Sequence, residues 1–114
     1  MKILIVDDCH DDRKIIQYIV LQHGHEAIMA EDGADGLMKA REAIPDMIIS
    51  DALMPVMDGF QFLRELRQDP ALKGVPFIFY SASYKEAEDV RLAISLGADA
   101  VSYTHLTLPT KRIV

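Results

Sequence analysis

The sequence predicts one α/β domain, a doubly wound parallel sheet with helices packed on it. Three features of the chain carry that prediction. Short continuous apolar runs alternate with stretches whose apolar residues recur at helical spacing. The short runs are apolar at successive positions, as strands buried between two helical layers must be. Glycine or proline closes most of the helical stretches, so the alternation is punctuated as well as periodic. A length of 114 residues suits a single core and leaves no room for a second.

The elements follow in order. Ile3–Val6 reads as the first strand, and Ile15, Ile16, Ile19 and Val20 as the apolar stripe of the helix after it, which stops at Gly24. Ala27–Ala30 is the second strand; Leu37, Ala40 and Ile44 mark a second helix, ended by Pro45. Met47–Ile49 is the third strand, followed by a helix with Phe60, Leu63 and Leu66 inward. Phe77–Tyr80 is the fourth strand, and Val90, Ala93 and Ile94 belong to a fourth helix that Gly97 closes. Each helical stretch is long enough for a crossover between parallel strands.

Composition narrows the function. Twelve basic residues against 18 acidic ones give a net charge of −6, the wrong sign for gripping a phosphate backbone, so nucleic-acid binding by this segment is not expected. The single cysteine, Cys9, forms no internal disulfide and no cysteine-rich zinc site. A reducing, cytoplasmic location is therefore expected. Ile3–Val6 ends at Asp7 and Asp8, too short for a signal core or a membrane span, so no membrane insertion is expected.

The acids point to chemistry. Asp7 and Asp8 follow the first strand and Asp51 follows the third, which puts all three at carboxyl ends of strands. Open α/β sheets bind ligands outside those ends where the strand order reverses. Any one acid there is commonly a helix cap; three together repel one another and call for a hard divalent cation with oxygen ligands, magnesium first among them. Asp11 and Asp12 instead complement the positive end of the first helix. Met54, Pro55, Asp58 and Gly59 shape the loop beyond Asp51, and Ser81 ends the fourth strand with a hydroxyl on the same side. His23 and His25 fit a helix terminus better than a metal site, and Asp32-Gly33 with Asp35-Gly36 reads as a helix start because the spacing and distal Glu of a calcium loop are missing. Cys9 lies among acids, poor surroundings for a thiolate nucleophile.

Ile3 to Asp8 (ILIVDD), Ile48 to Gly59 (IISDALMPVMDG), Phe77 to Ala82 (FIFYSA) and Gly97 to Ala100 (GADA) together resemble the receiver domains of bacterial two-component response regulators. The resemblance implies a flavodoxin-like strand order 2-1-3-4-5. It further implies a phosphoacceptor role for Asp51, magnesium held by Asp7, Asp8, Asp51 and the Leu53 carbonyl, and a phosphoryl-sensing hydroxyl on Ser81. The implied partners are a sensor histidine kinase or phosphotransfer protein upstream and an effector domain or protein downstream. A receiver of this kind assists its own phosphorylation and dephosphorylation but is not a turnover enzyme.

Beyond Ala100 the resemblance stops. The family pattern calls for an aromatic residue near 101, a lysine near 104, a proline near 105 and a last amphipathic helix; this chain has Val101, Thr104 and His105, with Pro109 further on. Val101 to Thr110 (VSYTHLTLPT) reads as the translation of a transposase-type sequencing-library adapter. Residues 1–100 are therefore expected to be an incomplete receiver domain lacking its final helix, and 101–114 a non-native tail. Two other classes fit less well. A haloacid-dehalogenase-type phosphatase wants its second acid where Cys9 stands, and a flavin-binding domain wants a hydroxyl-rich loop where Asp7 to Asp12 are acidic. A non-phosphorylated interaction module on the same fold remains the alternative, above all for the chain as given.

Overall fold

The computed structural model describes residues 1–51, 54, 56–80 and 100–102. Its elements run β1 (Lys2–Val6), α1 (His10–Gln22), β2 (Glu26–Ala30), α2 (Gly33–Ala43), β3 (Met47–Asp51), α3 (Gly59–Gln68), β4 (Phe77–Tyr80) and β5 (Ala100–Ser102). All pairings are parallel, and the strand order is β2-β1-β3-β4-β5. This is the doubly wound, flavodoxin-like arrangement expected of the sequence. The order reverses at β1, which has β2 on one side and β3 on the other. The carboxyl ends of β1 and its neighbour β3 carry the acids.

Side chains along β1 alternate between two cores, as the two-residue period of a strand requires. Leu4 and Val6 join Ile48, Phe77 and Phe79 in the larger cluster, under Leu37 and Ala40 of α2 and Phe62, Leu63 and Leu66 of α3. Ile3 and Ile5 meet Ile16 and Val20 of α1 in a smaller cluster on the other face. Three phenylalanines knit the larger core: the Phe77 and Phe79 rings lie 5.0 Å apart and those of Phe62 and Phe77 5.7 Å apart, both near edge-to-face.

Several local expectations need correction. The α1 stripe is narrower than the sequence suggests: Ile16 and Val20 are buried, whereas Ile15 and Ile19 are exposed. Residues four apart share one line along a helix, and among the described residues no second helix flanks α1 to cover the neighbouring line. β2 is only half-buried over Ala27–Met29, because as an edge strand it has a partner on one side alone. Phe62 is the fully buried aromatic of α3, and Phe60 only half so. α2 ends at Ala43, two residues before the expected breaker: Ile44 takes a left-handed φ of 46° as C-cap, exposed rather than inward, and Pro45 follows. Leu72 and Val75, which the periodicity did not single out, close the larger core from a turn anchored on Asp69, whose carbonyl accepts from Leu72 N and Lys73 N. Gly24 does end α1 with a φ of 81°.

β5 pairs Val101 with Phe79 and Ser102 with Tyr80, so the strand crosses the position-100 boundary drawn from the sequence. The fourth helix, with Val90, Ala93, Ile94 and Gly97, lies outside the described residues, as do Thr104, His105 and the rest of the tail.

Candidate functional site

Asp7 leaves β1 with its backbone amide still bonded to the Ala30 carbonyl of β2 at 3.1 Å, so its position is fixed by the sheet. Asp51 is the last residue of β3. Asp8 stands between Asp7 and the N-cap of α1, Cys9. One carboxylate oxygen from each of Asp7, Asp8 and Asp51 lies within 4.8 Å of the others. Asp7 is buried, Asp51 half-buried and Asp8 exposed, so the cluster opens from the sheet edge toward solvent.

Asp7 is the strained member. Its Oδ1 accepts from the Cys9 amide at 2.9 Å, while its Oδ2 is buried and has no hydrogen-bond partner among the described residues. A buried charged oxygen without a partner is unfavourable by several kcal/mol unless it is neutralised. Desolvation accordingly pushes the Asp7 carboxyl up from 3.8 to about 7; the Cys9 hydrogen bond opposes this, and the charges of Asp51, Asp12 and Asp8 add to it. A proton can relieve the site, and so can a cation. A hard divalent ion takes six or more oxygens, and three clustered carboxylates with one orphaned lone-pair site fit that demand.

Around the acids the local structure is set by caps. Asp11 and Asp12 occupy the first turn of α1, where they complement the helix dipole as expected. Asp32 caps α2 by accepting from Asp35 N at 2.8 Å, and Asp58 caps α3 by accepting from Gln61 N at 2.9 Å. The aspartates before Gly33 and Gly36 are thus helix-start residues. His23 Nδ1 bonds the Ile19 carbonyl at 2.9 Å at the end of α1, and His25 Nδ1 accepts from the Met1 amine at 3.1 Å, so the two histidines serve separate partners.

Sequence reasoning missed Arg13. Its Nη1 donates to the Asp7 carbonyl at 2.5 Å, and its Nη2 lies 3.3 Å from His10 Nδ1. The guanidinium so pins the backbone of the buried acid from the first turns of α1. A basic residue six positions after a strand-end acid, one helical turn into the next element, is the signal that could have found it. Ser81 and the Leu53 carbonyl, both expected at this site, lie outside the described residues. Among the described residues no helix is long and apolar enough to cross a membrane.

A family model described as the response regulator receiver domain matches residues 3–102. Protein PilH of Pseudomonas aeruginosa is 35% identical over 89 residues, which cover 78% of this chain and 74% of that protein. The alkaline phosphatase synthesis transcriptional regulatory protein PhoP of Bacillus subtilis is 36% identical over 98 residues, 86% of this chain and 40% of its own length. Among solved structures, chemotaxis protein CheY4 of Vibrio cholerae superposes with a TM-score of 0.83 at 32% identity, covering 96% of this chain and 88% of that one.

Proposed function

The chain belongs to the response regulator receiver domain family of two-component signalling, and from that premise we propose that it accepts a phosphoryl group on Asp51. The observation that carries the proposal is the meeting of Asp7, Asp8 and Asp51 within 4.8 Å around a buried carboxylate oxygen that has no partner among the described residues. The donor would be a phosphohistidine on a sensor kinase or a phosphotransfer protein. The Asp51 carboxylate attacks phosphorus as the P–N bond breaks, and the leaving imidazole regains its nitrogen lone pair and a proton. Magnesium, held by Asp7, Asp8, Asp51 and the Leu53 carbonyl, would supply charge neutralisation for the transferring oxygens.

The residues of the chain do the positioning. Asp51 is anchored at the end of β3, and Asp7 is held through its amide, its Oδ1 and its Arg13-bound carbonyl. Ser81 is proposed to donate its hydroxyl to the phosphoryl group; that assignment rests on the sequence. Asp51 would be regenerated by water, so the domain is a signalling switch and not a turnover enzyme. The match takes up 40% of the PhoP relative, so the output partner or effector domain is likewise a proposal. So are a cytoplasmic location and the absence of direct nucleic-acid binding.

Thr104 and Val101 replace the lysine and aromatic of the family pattern. We accordingly expect the given chain to switch poorly after phosphorylation, and residues 101–114 to be replaceable by a regular receiver terminus with a gain of response. The decisive test is magnesium-dependent labelling by a small acyl phosphate such as acetyl phosphate. Wild-type chain should take up one phosphoryl group and Asp51→Asn none. Equal labelling of both would overturn the assignment.

A further inference from the structure

The segment that leaves Asp51 enters α3 at Asp58, and just before it does so it runs against the first turn of α2. There the Gly33 amide donates to the Met57 carbonyl at 3.2 Å. A Cβ built on Gly33 would lie 2.5 Å from that same oxygen, and 2.8 and 2.9 Å from Met57 Cγ and Cβ. The nearest obstacle is backbone, so no side chain fits at 33 unless the segment itself moves. One turn further, a Cβ on Gly36 would meet Val6 Cγ2 at 3.0 Å and the Phe62 ring at 3.1 Å. Val6 immediately precedes Asp7. The first turn of α2 therefore rests on both chain segments that carry the clustered acids.

Val56 shows that the chain at residues 56–58 is held rather than relaxed. It is a β-branched residue at a φ of +68°, and it is 82% exposed. Its side chain gains nothing from burial, and its backbone sits where such residues rarely go. A conformation of that kind persists where the neighbouring chain over-determines it. The neighbours here are Met57, clasped by Gly33, and Asp58, fixed as the cap of α3.

We infer that Gly33 is a positioning residue for the phosphoacceptor segment: by admitting the Met57 backbone to within hydrogen-bond distance of α2, it fixes the far end of the segment whose near end is Asp51. The inference rests on the reading of Asp51 as phosphoacceptor and of the three aspartates as a magnesium site. It adds α2 to the machinery of that site.

The test compares Gly33→Ala with Gly74→Ala in the full chain. A Cβ at Gly74 meets nothing within 4 Å, and its φ is not positive, so this control carries the same chemical change without the contact. Magnesium affinity is measured by calorimetry, and the rate of labelling by acetyl phosphate is followed in parallel. Gly33→Ala should retain its far-UV circular dichroism yet bind magnesium and accept phosphate more weakly by on the order of tenfold to a hundredfold, as expected for a misplaced reacting group. Gly74→Ala should match wild type in both. A merely structural glycine would lower the melting temperature and leave magnesium affinity unchanged.

A second readout needs no variant. In the wild-type chain the Gly33 amide resonance should shift on saturation with magnesium while that of Gly74 stays in place. Wild-type affinity and rate in a folded Gly33→Ala, or a Gly33 amide indifferent to magnesium in a chain that binds it, would overturn the inference and leave the Asp51 reading standing. A wild-type chain that neither binds magnesium nor is labelled would overturn that reading, and this one with it.

Discussion

The two edges of the sheet are built on opposite terms. At the amino edge polar groups find partners: Lys2 N donates to Asp46 Oδ2 at 2.7 Å, Lys2 Nζ to the Ala43 carbonyl at 2.6 Å, and the Met1 amine to His25 Nδ1 at 3.1 Å. At the carboxyl edge three carboxylates crowd together, and the most buried of them keeps an oxygen with no partner among the described residues. The same β1 strand joins the two, from Lys2 to Val6. The amino edge is arranged for stability, whereas the carboxyl edge holds an unmet electrostatic demand that a ligand can satisfy.

The largest expected effect of this contrast is on acid–base behaviour without metal. The Asp7 carboxyl has its folded value raised to about 7, so between roughly pH 4 and pH 7 the folded chain holds a proton that the unfolded chain has released. The stability that this protonated carboxyl contributes is therefore fully present below about pH 4 and is lost as pH rises through about 7, a loss on the order of a few kcal/mol. Denaturant titrations in a chelator-containing buffer across pH 4–8 should show that fall, and Asp7→Asn should flatten it while stabilising the metal-free fold at pH 7.5. A wild-type stability that rises over this range would mean the edge is not frustrated.

Next in size is the response to magnesium. Millimolar magnesium should raise the wild-type melting temperature by linkage, and the rise should be larger at pH 7.5 than at pH 5.5, where the cation competes with the proton on Asp7. Asp7→Asn should weaken the affinity on the order of a hundredfold, equivalent to about 3 kcal/mol, and so remove most of the rise. Calorimetric titration of both chains reads this directly.

A smaller effect belongs to the amino edge. Asp46→Ala removes the acceptor of the Lys2 amide and should lower stability by about 0.5–1.5 kcal/mol without changing magnesium affinity. If it changed magnesium affinity as well, the two edges would be coupled and the contrast too simple. The smallest effect is expected away from both edges: Ile15→Thr, on the exposed side of α1, should stay within about 0.5 kcal/mol of wild type in denaturant melts and leave magnesium binding intact.

The acids of the carboxyl edge were legible because a strand-end position can be read straight from the sequence: Asp7 follows ILIV and Asp51 follows MIIS. The sheet was legible for a related reason, since strands covered on both faces write themselves as unbroken apolar runs. Legibility failed wherever the answer depended on a neighbour distant in sequence. Ile15 and Ile19 have the same hydrophobicity as Ile16, and only the packing around α1 separates them. Phe60 and Phe62 are equivalent on paper, but α3 turns the second into the core. The orphaned Asp7 oxygen and the Gly33 clasp are products of folding that no local pattern encodes, whereas the Arg13 contact, six positions from Asp7, was within reach of a local pattern.

Cys9 gives the site an experimental handle. It is the single thiol of the chain, it is exposed, and its amide is the donor to Asp7 Oδ1. A thiol-reactive fluorophore would therefore attach at one position only, one hydrogen bond away from the buried acid. Its emission should follow the carboxyl edge as protons, cations and phosphodonors come and go, making this chain a reporter of its own occupancy without a tryptophan or an engineered tag.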